Sequence, residues 1–216
     1  MNLQLEDIVN LEIELKKRWQ YHYHRKRIQN DEWDHLTNFI YKTKTWDEYV
    51  TIIKKVYDEH NITDKLWFFN YSANRWYNFW SAQWVENIFK LRSNVIWEKN
   101  EYHQYIDFYI NWIPFDHKTS VYPKWYNKPL EFAKKNKWDL IMWLYENQSK
   151  QQRFHMKNRL FLIVHALDWE DRKIKGELSY IKTIIDNYID NFKENNLFSF
   201  VYNQEKVLSD IIWVEK

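Results

Sequence analysis

The chain contains no cysteine. Thiol nucleophiles, cysteine-ligated zinc, iron–sulfur clusters and disulfides are excluded together, and the absence is compatible with a cytoplasmic setting. Glycine is almost as scarce: Gly176 is the single one in 216 residues. Walker-type phosphate loops and dinucleotide-binding turns need several glycines within a short space, so an ordinary nucleotide-binding enzyme is not expected. There is no HExxH pair for a zinc protease and no apolar run long enough for a membrane span. The N-terminus has no signal-like pattern, so the expected location is the cytoplasm, with no membrane partner. Excess charge is lacking too. A net charge of +2 does not by itself demand a polyanionic partner.

Hydrophobic residues make up 45% of the chain, which places it among globular rather than disordered proteins. The length suffices for one domain with a sizeable core and a helical extension. Aromatic residues reach 20%, with 14 Trp and 16 Tyr. Large rings bury much apolar area, so most belong in the core, while some could stack on bases. Lys and Arg gather locally, at Arg25-Lys26-Arg27 and between Lys150 and Arg159.

Apolar spacing predicts a helix over 3–28, with Leu5, Ile8, Leu11, Leu15 and Trp19 near one face. Helices over 31–42 and 46–59 follow, the latter capped by Thr45 with Glu48 at the capping-box position. A long helix over 72–91 carries Trp76, Trp80, Trp84 and Ile88 as a buried stripe, with Glu86 on another side. A short strand is expected at 95–97, a helix over 129–147, a strand buried on both faces at 160–167 and a helix over 177–193. Val201 and Ile211–Val214 read as edge strands. The order predicts an α/β (mixed α+β) protein with a central mixed sheet flanked by helices. Residues 1–65 form a helical N-terminal region, and 66–216 the sheet domain.

Residues 105–120 carry the chemistry. Two apolar-alternating runs flank an Asn111-Trp112 step and read as a hairpin. With a two-residue loop, Ile110 faces Ile113, and Asp107 faces Asp116. Period-two alternation then puts Asp107, Asp116 and Lys118 on one face and Phe108, Ile110 and Phe115 on the other. An odd-length loop would separate the two acids. Like charges directly opposite destabilise a strand pair, and a divalent cation between them would relieve that cost. Asp/Glu-x-Lys also occurs at Glu14-Leu15-Lys16 and Asp171-Arg172-Lys173, read as helix surface and loop. Only the middle copy lies in a β pattern with an acid in register.

This order and these hairpin residues together resemble the PD-(D/E)XK nuclease superfamily, whose fold is called restriction-endonuclease-like. The resemblance covers roughly residues 72–170. Asp107 matches the first acid of the family's pattern, and Asp116-His117-Lys118 matches the triplet. The first motif departs from its name, reading Ile106-Asp107 where the name has Pro-Asp. Glu86 is the candidate for the extra acid that many members take from the preceding helix, with Glu98 a second choice. The resemblance implies a Mg²⁺-dependent nuclease, with Mn²⁺ as substitute, that hydrolyses DNA phosphodiesters to 5′-phosphate and 3′-hydroxyl ends. Asp107, Asp116 and the backbone carbonyl of His117 would hold the ion, and Lys118 would orient or polarise the attacking water. A site-specific restriction-type enzyme is the sharper form, and double-strand cutting would call for a homodimer. RNA is not separated from DNA at this level.

Lys150, Arg153, Lys157 and Arg159 are candidate phosphate contacts, and a solvated turn is the equal alternative. Pro114 sits awkwardly for a central strand and marks a bulge or an unpaired amide. The competing function is a non-catalytic nucleic-acid-binding or interaction protein that keeps the fold.

Overall fold

The computed structural model describes residues 5–22, 31–98, 106–148, 157–168, 170–202 and 204–216. Two compact units divide inside one long helix, after Trp84. The described part has no helix long and apolar enough to cross a membrane.

The first unit, Met1–Trp84 with Lys175–Ser179, is helical. It holds α1 (Leu5–Lys17), α2 (Asp31–Leu36), α3 (Trp46–Glu59) and most of α4 (Lys65–Lys90). Ile8, Leu11 and Leu15 of α1 are buried as their spacing predicts. Thr45 caps α3, its Oγ1 accepting from the Glu48 amide at 3.4 Å. The α4 helix starts earlier than expected, because Asp64 Oδ1 accepts the Trp67 amide at 3.0 Å and satisfies an orphan donor of the first turn. The core is aromatic: Trp46 stacks on Tyr49 and meets Trp76 edge-on. The indole N–H of Trp76 finds the Thr43 carbonyl at 2.7 Å, which removes the cost of burying that polar handle.

Gly176 shows why this unit needs a glycine. A Cβ there would lie 2.6 Å from Tyr77 Oη, a buried hydroxyl that accepts from Trp19 Nε1. Gly176→Ala is therefore overpacked and should lose about 1–3 kcal/mol, read as a lower denaturant midpoint.

The second unit, Val85–Ile174 with Tyr180–Lys216, holds a six-stranded open mixed sheet in the order β1-β2-β3-β4-β6-β5. The strands are β1 (Val95–Trp97), β2 (Phe108–Ile110), β3 (Ile113–Val121), β4 (Arg159–His165), β5 (Phe198–Tyr202) and β6 (Glu205–Glu215). The first three pair antiparallel, β3-β4-β6 pair parallel, and β5 returns antiparallel. Each parallel crossover needs a helix. The expected helix over 129–147 is split into α5 (Leu130–Lys135) and α6 (Lys137–Gln148). Asn136 leaves the helical region between them, and its side chain bonds back to the Phe132 carbonyl. Leu140, Ile141, Leu144 and Tyr145 pack on Phe161, Ile163 and Ile211. The triplet Asp171-Arg172-Lys173, expected in a loop, opens a short helix, α7 (Asp171–Ile174). The last long helix, α8 (Leu178–Asp190), is bonded to β6 through Tyr180 and Tyr188.

One strand is misplaced by the sequence pattern. Ile211–Val214 is not at an edge, because β6 lies between β4 and β5. Ile211, Ile212 and Val214 are buried, which on an alternating strand requires cover on both faces of the sheet.

The hairpin register is as expected, with Ile110↔Ile113, Tyr109↔Pro114 and Phe108↔Phe115. Asn111 and Trp112 both take positive φ, at 47° and 69°, the pattern of a type I′ turn. Pro114 falls in the non-hydrogen-bonded pair next to that turn, and β4 pairing begins only at Asp116. Its missing amide therefore costs no ladder bond. Trp112 is 80% exposed, so burial does not offset the strain of its left-handed backbone. Trp112→Gly should stabilise the protein by about 0.5–1 kcal/mol, the strain relieved less the added chain entropy, measured by urea unfolding.

Candidate metal centre

All residues of the site belong to the second unit. At its start the β2–β3 ladder breaks step. The Asp107 amide donates to the Phe115 carbonyl at 2.9 Å, although Phe115 already faces Phe108 in register. Two successive residues thus address one, which is the step of a β-bulge. The next free amide on β3, that of His117, donates to Asp107 Oδ2 at 2.6 Å. The carboxylate replaces a backbone acceptor.

This corrects the expected pairing of Asp107 with Asp116. The bulge takes Asp107 out of alternation, and its carboxylate joins Glu86 and the imidazole of His117. One donor atom from each of the three lies within 4.8 Å of the others. Glu86 is brought there by the last turns of α4, where Phe89 stacks on Phe108 at 4.5 Å and meets His117 at 5.6 Å.

The electrostatics are those of acids crowded together and partly buried. Burial, then the Asp107 charge, pushes Glu86 up to about 7. Burial also raises Asp107 above its ordinary value, with the His117 amide opposing and Asp116 adding to the rise. Burial draws His117 down to about 3, so its ring is neutral and keeps a lone pair, as a metal ligand must. Its Nε2 lies 3.1 Å from Thr119 Oγ1. Lys90, one turn beyond Glu86, is drawn down to about 8 by burial, although Glu86 and Asp107 favour its charge. Two carboxylates and a nitrogen or carbonyl donor from His117 form a set that fits a small divalent cation, which would relieve the repulsion.

Asp116 and Lys118 share a face, since both fall on alternate positions paired with Arg159 and Phe161 of β4. Lys118 is half exposed, with Nζ 3.7 Å from Asp116 Oδ1. The other oxygen, Oδ2, accepts from Arg159 Nε at 2.7 Å. Asp116 is therefore outside the close donor group, held between two cations. Arg159, expected on a phosphate, is instead buried in the first position of β4 and committed to Asp116. Lys157 is half-buried and anchored through its carbonyl by Tyr145. Lys150 and Arg153 lie outside the described residues. Glu98 accepts from Tyr109 at 2.8 Å and is not in the donor group.

Sequence reasoning missed three participants. As a metal ligand the His117 ring was passed over in favour of its carbonyl. Lys90 had a signal, its spacing of four from Glu86 on one helix. Asn158 had none: it bridges strands, donating to the Pro114 carbonyl and accepting from the Leu208 and Asp116 amides.

Comparisons with protein-family models, with curated proteins and with solved structures give no match.

The raised Glu86 predicts a pH effect. Its proton is held more tightly in the fold than at the ordinary value of 4.5. The stability it contributes is complete below 4.5 and is lost as pH rises through about 7. His117 acts oppositely, costing stability as pH falls from 6.5 toward 3, but that cost is common to wild type and Glu86→Gln. Without divalent cations, Glu86→Gln should gain on wild type between pH 4.5 and 7, by up to about 3 kcal/mol. Urea midpoints across that range give the difference, and a flat difference would contradict it. Arg159→Met should cost about 3 kcal/mol by stranding Asp116, and Arg159→Met with Asp116→Leu should recover most of it.

Proposed function

We propose that the protein is a metal-dependent nuclease of the PD-(D/E)XK type, with the restriction-endonuclease-like fold, acting on DNA. The observation that carries the reading is the convergence of Glu86, Asp107 and His117 within 4.8 Å beside the Asp116-x-Lys118 strand. The order of helix, strand, hairpin, helix and strand supports it. Glu86, Asp107 and His117 would hold a divalent cation. Oxygen donors suit Mg²⁺, and a ring nitrogen brings Mn²⁺ forward. When bound, the ion supplies charge neutralisation at the phosphate and a more acidic water. Lys118, half exposed and close enough to Glu86 and Asp107 to act on both electrostatically, would donate to a phosphate oxygen or to the attacking water as negative charge develops. Asp116 holds the Lys118 ammonium near, and Arg159 fixes Asp116. A homodimer would place two such sites on a duplex.

The Arg159–Asp116 pair favours a second reading. An aspartate locked to a buried arginine suits a non-catalytic nucleic-acid-binding protein that keeps the fold.

Cleavage of phage genomic DNA separates the two. With Mg²⁺ or Mn²⁺ the wild type should degrade DNA, EDTA should stop it, and Lys118→Ala and Asp107→Asn should each lose about 100-fold or more in rate. Absence of cleavage on duplex DNA, single strands and RNA, with either ion, would leave the binding protein. Cleavage untouched by Lys118→Ala would overturn the role assigned to that lysine.

A further inference from the structure

A second basic concavity lies in the same unit, between the α5–α6 turn, the end of α8 and the start of β5. It encloses about 580 Å³ and is lined by four lysines, Lys134, Lys135, Lys137 and Lys193. Among the described residues Asp210 is its one lining carboxylate, and it is already committed. Lys137 Nζ lies 2.9 Å from its Oδ1, and the Tyr188 hydroxyl donates to Oδ2 at 3.2 Å. Lys134 is likewise committed, to Glu215 at 2.6 Å and Glu131 at 3.3 Å. Lys135 and Lys193 form no side-chain hydrogen bond or ion pair among the described residues, and both are exposed at the rim. Two lysines thus line one concavity with no counter-charge among the described residues, and a concave wall focuses their positive potential.

We propose that this pocket binds a phosphate monoester. The Lys137–Asp210–Tyr188 network fixes a neutral floor, and Lys135 and Lys193 supply two charges to match a phosphate dianion. Lysine serves well as a point-charge phosphate binder. The cavity is far larger than one phosphate needs, and Phe192 and Phe198 line it. An attached organic group, above all a planar base, fills that apolar space. The phosphate comes either from a free nucleotide or from the 5′-phosphorylated end of a nucleic acid. The pocket is independent of the nuclease reading, because none of its lining residues belongs to the Glu86–Asp107–His117 cluster.

Calorimetric titration of the full chain in EDTA tests it, with AMP, adenosine, and a single-stranded DNA oligonucleotide bearing either a 5′-phosphate or a 5′-hydroxyl. Adenosine should bind at least tenfold more weakly than AMP. Lys135→Glu with Lys193→Glu should weaken AMP at least tenfold while circular dichroism stays unchanged, since both side chains are exposed. Preference for the phosphorylated oligonucleotide over its hydroxyl counterpart identifies a nucleic-acid end as the source, and AMP binding without that preference identifies a free nucleotide. Failure of AMP to bind more tightly than adenosine, or no effect of the double variant on AMP, would overturn the proposal. EDTA prevents cleavage, so the result stands whether or not the protein cuts DNA.

Discussion

The hydrogen bond from the His117 amide to the Asp107 carboxylate, at 2.6 Å, is the contact on which the site depends. A strand amide normally seeks a backbone carbonyl, and a buried one left unpaired is costly. The bulge at Asp107 removes that carbonyl, and the carboxylate takes its place. Two consequences follow at once. Asp107 leaves the ladder register that would pair it with Asp116 and joins Glu86 and the His117 ring. The same bond limits how far burial can raise Asp107, because it favours the charged form.

The acids of the site then divide into two groups with different chemistry. Glu86 and Asp107 crowd together, and burial penalises their charge. Asp116 lies between Lys118 and Arg159, where opposite charge compensates it. The first group stores repulsion that a cation would relieve, and the second is already balanced. A strand pair expected to hold two equivalent acids therefore holds two that are unequal.

Much of the fold was legible in the sequence, for identifiable reasons. Asn111-Trp112 allowed only a short turn between two alternating runs, so the register from Ile110 to Phe115 followed. The apolar run around Leu160–Val164 had to be a strand covered on both faces. The bulge was not legible, because one amide choosing a carbonyl one residue away leaves no trace in a period-two pattern. Arg159 was misassigned because a basic run crosses the start of a strand, where burial and not composition decides its partner. Ile211–Val214 was misassigned because its position late in the chain says nothing about its place in the sheet. Glu86 was reached only through resemblance, since a lone glutamate on an aromatic helix has no local signal.

The central claim is that Glu86, Asp107 and His117 form a cation site held in place by the Asp107–His117 bond. Calorimetric titration of Mn²⁺ into wild type and Asp107→Asn at pH 8 tests it most directly. The account predicts saturable binding to the wild type that is abolished or weakened at least tenfold in the variant, because the asparagine keeps the shape and loses the charge. Equal binding by both proteins, or none by the wild type, would contradict it.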